Sequence, residues 1–159
     1  ITFLTPGLRF FHAGQFEGRR KRISPHLSRG PVEPIDTEVR QFYDRLLGIL
    51  RQRAVREGEW KLLECAPAWD GNWTWDCFLA YSWQGPADER LVVVVNYAPN
   101  QSQCHIRLPL LALREQAWRL EDLLSDARYD CQGNDLASRG LYVDMAPWAY
   151  HIFSLEKIL

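Results

Sequence analysis

"CFLAYSWQGPADERLVVVVNYA", residues 77–98, decides the fold class. Residues 77–83 and 90–98 are rich in β-branched and aromatic side chains, and "QGPADE" between them is made of turn formers. The pattern predicts a β-hairpin. Its second run is apolar enough, Leu91 to Val95, for a central strand. That run is also the longest purely apolar one, far short of the roughly 20 residues a membrane helix needs.

Similar signals extend both ways. "WKLLECA" (60–66) reads as a strand, and the Trp-rich "APAWDGNWTWD" (66–76) as a turn. Downstream, "PNQSQ" (99–103) is a turn, and "CHIRLPL" (104–110), "WRLEDLL" (118–124), "LYVDM" (141–145) and "AYHIFSLEK" (149–157) read as strands. "LLALREQ" (110–116) fits a short helix or a turn. About seven or eight short strands with turns between them predict a mainly β chain built as an antiparallel β-sandwich.

Before Trp60 the period changes. Asp36 or Thr37 can cap a helix of about twenty residues, with Val39, Phe42, Tyr43, Leu46, Leu47, Leu50 and Ala54 three and four apart and Gly58 as its stop. An apolar stripe of this kind must be buried against something. Left uncovered, Val39, Phe42, Leu46, Leu47 and Leu50 would form a dimer face; otherwise the helix repacks on the sandwich. Residues 23–36, "ISPHLSRGPVEPID", read as irregular backbone. Earlier still, "GLRFFHAGQFEGRRKR" (7–22) runs from apolar residues into a polar loop, like a buried strand opening toward a site. One strand and one helix cannot close a core alone, so residues 1–58 read as the last βα unit of a larger parallel α/β fold and 59–159 as the sandwich domain. The absent initiator Met fits a trimmed or excised chain.

"PGLRFFHAGQFEGR" followed by "VRQFYDRLLGILRQ" resembles the last barrel strand and last barrel helix of the alpha-amylase family, glycoside hydrolase family 13. Gly7, Leu8, Phe10, Phe11, Gly14 and Gln15 fall on that family's strand pattern; Arg9 replaces its usual Pro, His12 its usual aromatic, and Phe16–Glu17 stand where Glu comes first. "VVVVNYA" and "PWAYHIFSL" look like parts of the family's C-terminal sandwich. The resemblance implies a strand–loop–helix unit belonging to a (β/α)₈ barrel, with the site at the C-terminal ends of its strands. It implies an α-glucan or oligosaccharide as substrate of the intact enzyme, by hydrolysis or transfer. Retaining glycosidases use two carboxylates about 5–5.5 Å apart. In this family they come from strands four, five and seven, so no catalytic residue is expected here.

His12, Gln15, Glu17 and Arg19 would lie at the barrel mouth, either touching sugar hydroxyls in the intact enzyme or scaffolding the loop. Gly14 is read as a backbone requirement. Trp73 and Trp75 alternate as on one face of a strand, which offers sugar-stacking planes if exposed and packing if not. A non-catalytic carbohydrate-binding module is therefore the alternative to a structural domain. His105 and His151 are lone histidines with ordinary roles expected.

Charge and cysteine usage narrow the classes further. Residues 1–58 carry eleven Lys/Arg against six Asp/Glu, yet only "RRKR" (19–22) is clustered and no aromatic-interleaved platform accompanies it, so nucleic acid is not an expected partner. Cys65, Cys77, Cys104 and Cys131 are far apart without CxxC spacing; free, mostly buried thiols are expected, with no metal and no cofactor. The N-terminus lacks a signal-peptide pattern, and a cytoplasmic location is the corresponding expectation.

Overall fold

The computed structural model describes residues 1–21, 24, 26, 29–108 and 115–158. Helices α1 (Thr37–Leu50) and α2 (Arg53–Glu57) precede β1 (Glu59–Leu62), β2 (Cys65–Ala66), a 3₁₀ turn (Thr74–Cys77), β3 (Phe78–Gln84), β4 (Arg90–Asn96) and β5 (Ser102–Ile106). Then follow β6 (Ala117–Asp122), β7 (Arg128–Gln132), α3 (Gly133–Ser138), β8 (Leu141–Met145) and β9 (Tyr150–Ile158). Two antiparallel sheets result, ordered β1-β3-β4-β9-β6-β7 and β2-β5-β8.

The hairpin at 77–98 is β3 and β4, and β4 lies inside the large sheet between β3 and β9. Every residue of β4 is buried. Successive side chains point to opposite faces, so the continuous apolar run means cover on both sides. Val92 and Val94 face inward with Phe78, Ala80, Ile106, Trp118, Val143 and Phe153, closing the core between the sheets. Leu91, Val93 and Val95 face the other way with Tyr81, Trp83 and Ile152, against Leu46 and Ile49 of α1 and Ala54 and Val55 of α2. The small sheet has cover on one face only: β8 alternates strictly between buried and exposed residues.

"WKLLECA" is two strands in place of one. β1 pairs with β3 in the large sheet and β2 with β5 in the small one. The chain crosses at Leu63 and Glu64, where Leu63 N–H donates to Ala80 O and Glu64 O accepts from Arg107 N–H. β7 and α3 carry no sequence signal that identified them: β7 is almost wholly exposed, without an apolar alternation. Residues 109–114, which end the expected strand 104–110 and make up most of the ambiguous 110–116 segment, lie outside the described residues, as do Arg22, Ile23, Pro25, Leu27 and Ser28 of the basic cluster and following loop.

Asp36 caps α1 as its spacing suggests, accepting from Val39 N–H. The single long helix does not form. It breaks at Gln52, whose extended backbone (φ −63°, ψ 142°) starts the separate α2, so that Ala54 and Val55 seat on the sheet. The apolar stripe is not an open dimer face. Leu46 is buried, Phe42 and Leu50 pack at the edge of the same cluster, and Val39 and Leu47 are half-buried. The helix repacks on the sandwich because the outer face of β3, β4 and β9 is apolar.

Residues 7–12 form no strand in this chain. A strand needs a hydrogen-bonding neighbour, and both sheets end in other strands. Leu8 and Phe10 are left 93% and 72% exposed, while Phe11 stacks on Phe3 at 4.6 Å. The segment before them lids the sheet: Trp83 Nε1 donates to Leu4 O at 2.6 Å, and Leu4 is buried.

Candidate functional site

The loop after residue 11 is a compact knot. Gly14 (φ +85°) and Gly18 (φ +65°) supply two left-handed turns that other residues rarely adopt. Gln15 N–H donates to His12 O, Gly18 N–H to Gln15 O, and Arg19 N–H to Gly14 O. Gln15 Nε2 donates to the Tyr43 hydroxyl at 2.7 Å, and Glu17 lies 3.6 Å from Arg40, both partners on α1. These two side chains therefore fasten the loop to the helix. His12 and Arg19 are exposed, with His12 N–H held by Gln15 Oε1 at 3.2 Å. Beyond them, Glu33 accepts from the backbone N–H groups of Arg20 and Lys21, so part of the basic cluster is a tied surface loop.

The Trp-rich segment is the second candidate. Trp73 and Trp75 do not sit on a strand: Trp73 precedes the 3₁₀ turn and Trp75 is inside it. The strand alternation fails because Asn72 and Thr74 turn inward. Both are buried; Asn72 Oδ1 accepts from Ala68 N–H and its Nδ2 donates to Thr74 Oγ1 at 2.9 Å. Thr74 Oγ1 accepts in turn from Gln103 N–H of β5 at 3.0 Å. A firmly held loop thus presents Trp69, Trp73 and Trp75 at 53%, 69% and 37% exposure.

A third constellation carries no motif in the sequence. Asp122, at the end of β6, is buried beside His151 of β9, with His151 Nδ1 3.0 Å from Asp122 Oδ2. Ser125 Oγ donates to the same oxygen at 2.6 Å, and the N–H groups of Ile152 and Leu124 donate to Oδ1. Burial pushes the carboxyl up, but the His151, Ser125, Ile152 and Leu124 hydrogen bonds outweigh it and hold it at about 2. A cleft of about 430 Å³ opens here beside α1, lined by Phe42, Arg45, Ser125, Tyr150 and His151 among others. Ser, His and Asp meet, but not as a nucleophilic triad. The serine bonds the aspartate directly, so no base addresses its hydroxyl. Asp122 is a hub tying the β6 end to β9. Sequence reading missed it because 29 residues separate Asp122 from His151 and only strand pairing unites them.

Cys65 and Cys104 share the inward face of the small sheet. Their thiols interact, which lowers Cys65; that contact, with burial, raises Cys104. All four cysteines are free thiols, Cys104 buried and the others half-buried. Among the described residues no group of three or more His, Cys, Asp or Glu side chains could hold a metal ion, and no helix is long and apolar enough to cross a membrane.

No protein-family model matches the sequence, and none of the curated proteins matches it. Solved structures do. The chain is similar to a noncanonic maltogenic alpha-amylase, AmyB, from Thermotoga neapolitana, at a TM-score of 0.71 over 96% of this chain. It shares the fold of one part of that amylase. Identity is 12%, so the likeness is one of fold, and the chain spans about a third (34%) of that enzyme's length. The trehalulose synthase MutB from Pseudomonas mesoacidophila gives a TM-score of 0.46 at 20% identity, over 74% of this chain and 18% of that one, too low to carry an argument.

Proposed function

We propose that this chain is the closing piece of an alpha-amylase-family glycoside hydrolase or transglycosylase acting on α-glucans. In this reading residues 1–58 are the last strand and helix of a (β/α)₈ barrel, and 59–159 are the C-terminal sandwich that stabilises it without catalytic carboxylates of its own. The fold likeness to the maltogenic amylase over 96% of the chain carries the proposal. It agrees with the "PGLRFFHAGQFEGR" and "VRQFYDRLLGILRQ" stretches, read independently of structure. The exposure of Leu8 and Phe10 also supports it, since a barrel strand would bury both. Within this reading His12 and Arg19 are free to meet sugar hydroxyls, while Gln15 and Glu17 position the loop.

The test compares two proteins. The 159-residue chain should turn over neither maltoheptaose nor 4-nitrophenyl maltoside, while the product of the complete reading frame should cleave or transfer α-glucans. Turnover by the former would overturn the non-catalytic role. Inactivity of the latter on a panel of α-1,4- and α-1,6-glucans would overturn the family reading.

A further inference from the structure

The outer face of the β2-β5-β8 sheet carries polar and aromatic side chains, half-buried on β5 and exposed on β8. Gln103 and His105 of β5 stand opposite Asp144 and Tyr142 of β8. Asp144 is exposed, and its Oδ1 accepts from both Gln103 Nε2 (2.9 Å) and Gln101 Nε2 (2.6 Å). Its Oδ2 accepts from no described residue. Tyr142 is 49% exposed, with its ring 5.5 Å from that of His105, and His105 Nδ1 is buried without a hydrogen-bond partner. On the β2 side the 3₁₀ turn lies against β5, where Thr74 is bonded to Gln103; Trp75, the next residue, is 37% exposed.

An exposed tyrosine on β8 therefore shares this face with a carboxylate cross-linked to two amides, and a part-exposed tryptophan stands in the turn at the β5 edge. That is the chemistry of a sugar site: ring faces cover the C–H face of a pyranose, and carboxylate and amide groups bond its hydroxyls. The network also fixes these groups before any ligand arrives, which lowers the ordering cost of binding. The face is turned away from α1 and residues 1–4, which cover the opposite side of the large sheet. A barrel continuing from residues 1–58 would adjoin that opposite side and leave this face open.

We infer that the outer face of the three-stranded sheet, built from Gln101, Gln103, His105, Tyr142 and Asp144 with Trp75 at its edge, binds an α-linked gluco-oligosaccharide. The linkage rests on the functional reading above; the site rests on the side chains. The experiment titrates the 159-residue chain with maltoheptaose and, separately, cellohexaose, by calorimetry and by the side-chain amide resonances of Gln101 and Gln103. Tyr142→Ala, Trp75→Ala and Asp144→Ala alter exposed groups, and Tyr97→Ala, exposed elsewhere, is the control.

Support requires maltoheptaose to bind, the two amide groups to shift, and Tyr142→Ala and Trp75→Ala each to raise Kd at least about tenfold with Tyr97→Ala unchanged. If Trp75→Ala fails to fold, Tyr142→Ala and Asp144→Ala decide. Equal maltoheptaose binding by all variants overturns this site and leaves the amylase-family reading standing. Preference for cellohexaose overturns the α-linkage and counts against that reading as well. No binding of either sugar up to about 10 mM overturns the proposal, with the complete enzyme's activity judging the family separately. Self-association abolished by Tyr142→Ala, without a sugar response, also overturns it and assigns the face to a second copy of the chain.

Discussion

Removing the carboxylate of Asp122 should unfasten one end of the sandwich. The side chain is buried and accepts from Ser125 Oγ, from His151 Nδ1 and from the N–H groups of Leu124 and Ile152. Its folded value of about 2 stands below the ordinary 3.8. At 1.36 kcal/mol for each pH unit, the depression contributes about 2 kcal/mol of stability at neutral pH. The sign is that of a depressed carboxyl: the contribution is complete above about pH 5, falls to roughly half near pH 3, and is nearly gone at pH 2. Asp122→Asn keeps the shape and loses the charge, so it should cost about 2 kcal/mol at pH 7 and about half of that at pH 3. Asp122→Ala also leaves buried N–H groups without an acceptor, which raises the loss to about 3–5 kcal/mol. Urea unfolding followed by Trp fluorescence, at pH 7 and at pH 3, measures both differences. A cost for Asp122→Asn that is the same at both pH values would refute the electrostatic account. A cost below about 0.5 kcal/mol for Asp122→Ala would refute the hub itself.

Other substitutions test other joints. Leu46→Ala should cost about 2–4 kcal/mol because Leu46 seats α1 on the sheet, while Leu47→Ala should cost less than about 1. Equal small effects in urea titrations would mean that the helix does not dock. Asn96 is fully buried, and its Nδ2 reaches Asn100 O, Met145 O and Ala146 O, joining the turns that follow β4 and β8. Asn96→Ala should lower stability by about 2–3 kcal/mol and raise hydrogen exchange at 97–101 and 146–149. Gly140 has φ +88°, and an added Cβ would lie 2.4 Å from Ile106 O. Gly140→Ala should therefore cost more than about 1 kcal/mol by thermal unfolding, and a neutral result would contradict the backbone geometry there.

Much of the architecture is legible along the chain. The run Leu91 to Val95 predicts a central strand, and the sheet has it so, with cover on both faces because adjacent residues alternate between two apolar clusters. The helix start is equally local, since Asp36 needs only Val39 three residues on to cap it. Its end is not local. Nothing near Gln52 announces a break, and the chain bends there because Ala54 and Val55 find a sheet surface that the sequence does not display. "WKLLECA" reads as one strand for the same reason: which sheet a residue joins depends on partners 19 to 41 positions away.

The candidate sites divide along the same line. Sequence alone determined the residue types that could meet a sugar: the loop His12, Gln15, Glu17 and Arg19, and the pair Trp73 and Trp75. Tertiary structure decided their availability. It tied Gln15 and Glu17 to α1 and replaced the imagined Trp strand with a 3₁₀ turn anchored by Asn72 and Thr74. It also united Asp122 with His151, and Gln103 with Asp144, pairs separated by 29 and 41 residues. Local spacing specifies strands, caps and turns because those interactions span only a few residues. Side chains from distant strands meet only after sheet order and register are set, and those follow from burying both faces of β4 at once.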